Sequence, residues 1–148
     1  FAFLQIEKAS EHFTGVNNTV TTVTATRQPH PRGSYGYRIE RGGKVLVFCT
    51  DLEHGERIDP QVVALARGAD LLVHEAQYTT EELHHKKGWG HSSYVQALQV
   101  AEMAGVQRLA ITHHDPDHDD VFLRRMEHLC QERFPACVLA REGMEIDI

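Results

Sequence analysis

The sequence predicts an α/β fold: a mixed β-sheet with helices packed on one face. Three observations carry that prediction. Strand-like apolar runs alternate with amphipathic helical stretches through the middle of the chain, in the order β-β-β-β-α-β-α-β-α-β-β. Two of the helical stretches open on capping residues and close on glycine. Four of the strands stop abruptly at histidine or acidic residues, a feature of sheets that bind ligands beyond their carboxyl ends. At 148 residues the chain is one domain by length, or part of a larger one.

Taken in order, residues 1–8 alternate loosely as a strand, and residues 11–18, with Gly15 and the Asn17-Asn18 pair, read as a hairpin turn. Residues 19–26 are rich in β-branched side chains and form the next strand. It ends at 27–34, where Pro29, Pro31 and Gly33 oppose both helix and sheet, so His30 falls on a loop. Residues 35–40, the Gly42-Gly43 turn and the apolar run 44–49 make a second hairpin that stops at Thr50-Asp51. Asp59 as N-cap and Pro60 at the first helical position open a short helix, with Val62, Val63 and Leu65 inward and Gly68 as its cap. Residues 70–73 are a strand ending at His74-Glu75.

The polar stretch 79–90 reads as a loop containing Lys86, Lys87 and Gly88-Trp89-Gly90. Paired glycines around a tryptophan fit a segment that flexes over a site, or equally a plain surface connection. Ser92 and Ser93 are candidate N-caps for a helix over 94–104, with Tyr94, Ala97, Leu98, Ala101 and Ala104 on one face and Gly105 ending it. A strand over 106–112 and a helix over 121–134, with Phe122, Met126, Leu129 and Cys130 as its buried stripe, come next. Short strands over 136–140 and 144–148 complete the sheet.

The hydrophobic fraction of 41% and charged fraction of 24% are those of an ordinary globular chain, and no apolar run approaches the ~20 residues of a membrane span. Nothing resembles a signal peptide. The net charge of −6 argues against broad non-specific nucleic-acid binding. It does not exclude a phosphate-bearing substrate, because bound divalent cations reverse the local sign. Cys49, Cys130 and Cys137, odd in number and irregular in spacing, read as buried thiols of a cytoplasmic protein.

The chemistry concentrates at 113–120, where three histidines and four aspartates fall within eight residues directly after the apolar run 109–111. Imidazole and carboxylate donors at a strand's end suit zinc, manganese or iron. The competing reading is a solvated acidic turn capping the next helix through Asp117 or Asp119. Recurrence tips the balance towards metal: His30, Asp51, His74-Glu75 and His113-His114 each follow a strand, and a helix N-terminus adds His91 at the same level.

These residues also carry a resemblance. His30-Pro-Arg-Gly-Ser-Tyr-Gly-Tyr-Arg-Ile39, Phe48-Cys-Thr-Asp51, His74-Glu-Ala-Gln77, His91-Ser-Ser93 and Ala110-Ile-Thr-His113 are similar, in that order, to the motifs of the C-terminal half of metallo-β-lactamase-fold hydrolases. They look most like the ribonuclease Z branch and its phosphodiesterase relatives. The resemblance implies half of an αββα sandwich. It implies two divalent metal ions, zinc first, with manganese or iron as alternatives. His30 and His113 would be ligands on the two metals, and Asp51 would bridge them. His91 would protonate the leaving oxygen, oriented by Glu75. The substrate class is a phosphodiester, either a small molecule or an RNA end. Arg32 and Arg38 are candidates for substrate phosphate, with a structural ion pair as the other reading of Arg38. His74, His114 and Asp115 are expected to support the ligands or cap the following helix.

The departures matter as well. The His-x-His-x-Asp-His motif of that family is absent, so residues 1–148 are expected to form the C-terminal half of a domain. Such a half would bind metal weakly and be inactive without the N-terminal half or another chain covering the sheet, and a homo-oligomer is expected. Gln77 and Ser93, where ribonuclease Z carries Thr, point towards a phosphodiesterase-like relative. A lactonase or thioester hydrolase of the same fold, or a scaffold domain without metals, are the alternatives.

Overall fold

The computed structural model describes residues 8–14 and 20–148. Seven strands form one sheet in sequence order: β1 (Lys8–Thr14), β2 (Val20–Gln28), β3 (Ser34–Arg41), β4 (Lys44–Cys49), β5 (Leu71–Glu75), β6 (Leu109–Thr112) and β7 (Cys137–Leu139). The strands β1 to β4 are an antiparallel meander, and β4 to β7 run parallel. Each parallel step needs a crossover. These are supplied by α1 (Pro60–Ala66), by α2 (Thr80–His85) with α3 (Tyr94–Ala104), and by α4 (Asp120–Arg133). Crossovers of one hand between strands that advance in one direction stack their helices on one face. Accordingly α1 packs on α3, and α3 on α4.

The core lies between this helical layer and the sheet. Val47, Cys49, Leu72, Leu109, Ile111 and Leu139 come from the strands and Val62, Ala66, Ala97, Val100 and Ala101 from the helices. The period of two along each strand sends alternate residues to the other face. There the cross-strand pair Tyr37 and Phe48 remains 42% and 41% exposed. No helix among the described residues is long and apolar enough to cross a membrane. The three cysteines are buried and unbridged, as expected.

Several expectations need correction. The strand expected over 1–8 lies mostly outside the described residues, and β1 continues to Thr14, into the expected turn. Thr14 pairs with Val20 in the antiparallel ladder of β1 and β2, and Gly15 and the Asn17-Asn18 pair of the expected turn lie outside the described residues. Strand β2 runs on to Gln28 and breaks only at Pro29, the first residue that cannot donate to the ladder. The cap of α1 is Arg67; Gly68 follows at φ 63, and its amide donates to the Ala104 carbonyl at 2.9 Å. The polar stretch 79–90 is not all loop. A capping box, in which Thr79 and Glu82 each accept the other's amide, nucleates α2. In α4 Phe122, Leu123, Met126 and Cys130 pack against the core, and Leu129 turns outward at 45% exposure. The segment 144–148 forms no strand; the Arg108 guanidinium donates to the Asp147 carbonyl instead.

Candidate metal centre

The parallel strands deliver their terminal residues to one rim. Asp51, just past β4, and His113, just past β6, have φ of 55° and 59°, the only non-glycine residues in the left-handed region among those described. Aspartate and histidine tolerate that conformation better than most side chains, and in it each strand ends sharply. The Ser34 hydroxyl fixes the Asp51 turn by donating to its carbonyl at 2.6 Å. The Glu53 amide ties the same loop to the Pro29 carbonyl at 2.8 Å, so the segments bearing Asp51 and His30 are held together.

One donor atom from each of Asp51, His91 and His113 lies within 4.8 Å of the others, and His113 Nε2 is 3.6 Å from Asp51 Oδ1. The rings of His91 and His113 have centroids 4.9 Å apart, and that of His30 stands 6.1 Å from His91. His30 Nδ1 accepts the Arg32 amide at 3.2 Å, which leaves Nε2 as its free nitrogen. Four of the strand-end or helix-end residues singled out in the sequence therefore converge. Three imidazoles and a carboxylate suit a borderline cation such as zinc. The closely grouped triad includes His91 and leaves His30 at its edge, whereas the resemblance put His30 in the ligand set and His91 outside it.

Glu75, the last residue of β5, is fully buried behind His91. Its carboxylate accepts the Leu52 amide at 2.9 Å, the Ser92 amide at 3.1 Å, and faces His91 Nδ1 at 3.1 Å. The Ser92 hydroxyl closes the circuit on the Leu52 carbonyl at 2.7 Å. Burial pushes the Glu75 carboxyl up to about 8, against the pull of the two amides. Burial, and then the neighbouring His113, hold His91 below the ordinary imidazole range. Both directions favour a net-neutral pair that shares one proton between Glu75 and His91 Nδ1. That arrangement leaves His91 Nε2 directed to the side of the ring away from Glu75.

The remaining candidates are placed as follows. His74 is fully buried and stacks on His54, with their Nε2 atoms 3.2 Å apart. The Asp59 amide donates to His54 Nδ1, so His54 carries its proton on Nε2 and donates to His74. His74 in turn donates from Nδ1 to the Glu75 carbonyl at 2.5 Å. Burial lowers His54 to about 3 and His74 to about 4, so both are neutral and the chain of donors runs one way. His114 stacks on Tyr94, and Asp115 accepts the Asp117 amide in a local turn before Asp119 caps α4. Arg32 is exposed. Arg38 is bound to Glu40 at 2.5 Å and donates to the Leu65 and Arg67 carbonyls, satisfying the open C-terminus of α1.

Two contributors escaped sequence reasoning. His54 lies in the same turn as Asp51, and a histidine three residues after a ligand candidate was a usable signal. Glu53 accepts the amides of Gly88 at 2.8 Å and Gly90 at 2.9 Å, which pins the Gly88-Trp89-Gly90 segment beside the site.

Comparison with known proteins shows the family and the fold. A family model described as beta-lactamase superfamily domain matches residues 4–114, and the chain belongs to that superfamily. Within it the chain is similar to ribonuclease Z of Brevibacillus brevis, at 41% identity over 112 residues, and to ribonuclease Z of a Synechococcus strain, at 37% over 111. These alignments cover 72% and 73% of the chain but 33% of each relative, so the chain spans about a third of the length of the curated relatives it matches. In fold it resembles the human short form of tRNase Z, with a TM-score of 0.68 at 24% identity, over 94% of this chain and 46% of the human one.

Proposed function

We propose that the protein is a metal-dependent hydrolase that cleaves a phosphodiester of RNA. The observation that supports this best is the convergence of Asp51, His91 and His113 within 4.8 Å, with buried Glu75 behind His91. Its similarity to ribonucleases Z supports the choice of bond. In this reading His30, Asp51 and His113 are the metal ligands this chain supplies, to a binuclear centre with zinc preferred over manganese or iron. A second ion needs donors beyond these three. The bound metal would supply Lewis acidity towards the phosphoryl oxygens and a hydroxide nucleophile near neutral pH.

The chain's own acid–base work falls to His91. Its Nε2 proton passes to the departing oxygen as the phosphorus–oxygen bond breaks, and Nδ1 takes up the proton held with Glu75. Glu75 orients the ring and offsets the charge on it. His54 and His74 act at one remove, holding the Glu75 backbone through its carbonyl.

The test is single-turnover hydrolysis of a dinucleoside phosphate, whose alkoxide leaving group requires a proton, by the whole protein with added zinc or manganese. The expected result is metal-dependent turnover that His91→Ala reduces by about 10²–10⁴-fold. Wild-type rates in His91→Ala across pH 6–9 would remove the proton-donor role. Turnover of lactone or thioester substrates with none of phosphodiesters would replace the substrate class.

A further inference from the structure

Trp89 is the single tryptophan of the chain and is 60% exposed. An exposed indole on a soluble surface invites an explanation, and this one is held in place with unusual care. Its own amide donates to the Lys86 carbonyl at 3.2 Å, closing a turn at the end of α2. That turn brings the Lys86 ammonium over the indole, 4.1 Å from its centroid. The flanking glycines have φ of 83° and 96°, conformations that glycine adopts freely, and both amides are bound by the Glu53 carboxylate. Gly90 lies so close to His30 that a Cβ there would stand 2.3 Å from the ring. Trp89 is two residues from His91, so their Cα atoms are at most about 7 Å apart. Lys86, which covers the indole, also stands 5.9 Å from the Tyr78 ring, itself 6.1 Å from His91, so the segment carrying Trp89 is fixed beside the site, and neither the core nor the proton-transfer chemistry uses the ring.

We propose that Trp89 is the stacking platform of a nucleobase subsite. It would receive the aromatic base of a nucleotide whose phosphate lies among Asp51, His91 and His113, with Lys86 fixing the indole and adding positive charge. This deepens the phosphodiesterase reading and rests on it for the position of the phosphate. Base stacking on aromatic side chains is tolerant of sequence and changes affinity by about five- to a hundredfold. It accounts for how a chain of net charge −6 can hold a polyanion without a broad basic surface.

Two paired comparisons on the whole protein test it. In the first, thymidine 5′-p-nitrophenyl phosphate and methyl p-nitrophenyl phosphate share a leaving group and differ in the nucleoside. Trp89→Ala should raise KM for the thymidine ester about tenfold, leave kcat/KM for the methyl ester within twofold, and be largely rescued by Trp89→Phe. In the second, which needs no turnover, adenosine 5′-monophosphate should bind at least about fivefold more tightly than ribose 5-phosphate. Trp89→Ala should abolish that preference and Trp89→Phe should keep most of it. Equal losses on both esters, or a base preference that is absent in the wild type or survives Trp89→Ala, overturn the subsite. If the wild type hydrolyses neither ester, the phosphodiesterase reading fails, and the binding comparison still decides whether Trp89 holds a base.

Discussion

Replacing Glu75 probes the part of the site that the fold is built around. Its carboxylate is the shared acceptor for the Leu52 amide, the Ser92 amide and His91 Nδ1, and it is fully buried. Glu75→Ala strands two buried amides and one ring nitrogen. Each buried donor left unsatisfied costs about 1–3 kcal/mol, so partial rearrangement leaves roughly 3–5 kcal/mol of lost stability. Glu75→Gln keeps one acceptor oxygen in the same shape and should cost about 1–3 kcal/mol. Urea denaturation followed by circular dichroism measures both. The pH dependence provides a sign. A carboxyl raised by burial to about 8 contributes stability that is complete in acid and is lost as pH rises from the usual carboxyl range through about 8. Glu75→Gln should therefore flatten that part of the metal-free stability profile. The reasoning is refuted if Glu75→Ala lies within about 1 kcal/mol of wild type, or if the Gln and Ala variants cost the same.

Other outcomes follow from single contacts. His54 and His74, held neutral by burial at about 3 and about 4, give stability that is present above pH 6.5 and lost as pH falls. Their contribution makes unfolding easier at pH 5 than at pH 7 by roughly 2–4 kcal/mol, opposed by the contrary trend of Glu75, so the effect is read as the difference between wild type and His54→Gln in a denaturant series at the two pH values. Gly90→Ala puts a methyl 2.3 Å from the His30 ring at φ 96°, so His30 must move; turnover should fall by about 10²-fold while the circular dichroism spectrum is kept. Arg38→Met removes the guanidinium from the Leu65 and Arg67 carbonyls and should lower the thermal midpoint by about 1–2 kcal/mol equivalent with kcat unchanged, whereas a selective loss of kcat would bring Arg38 back as a phosphate contact.

Much of the rim was legible because polar residues follow apolar runs with no structural need for them. Thr50-Asp51 after 44–49, and His113 after 109–111, could be read as strand ends from composition alone. What was not legible came from long-range geometry. Nothing in the spacing of His74-Glu75 says which of the pair faces His91 and which stacks on His54. The helix α2 shows no apolar periodicity, since five of its six residues are polar, yet Thr79-x-x-Glu82 carries its capping box in plain view. Of the stripe expected in α4, Phe122, Met126 and Cys130 do pack against the core together with Leu123, and Leu129 alone turns outward. The weight placed on Ser93 and Gln77 as marks of a different substrate also lacks a physical basis. Ser93 is the N-cap of α3, a task serine and threonine share, and Gln77 meets the site segment through its backbone, donating to the Ser92 carbonyl at 3.0 Å.

The claim that strand-end imidazoles and carboxylates grip a cation is tested most directly by elemental analysis. The whole protein, purified without chelator, should carry zinc or manganese, and the Asp51→Ala/His113→Ala double variant should lose at least half of it while remaining folded. Equal metal in wild type and double variant, or none in either, would contradict the account.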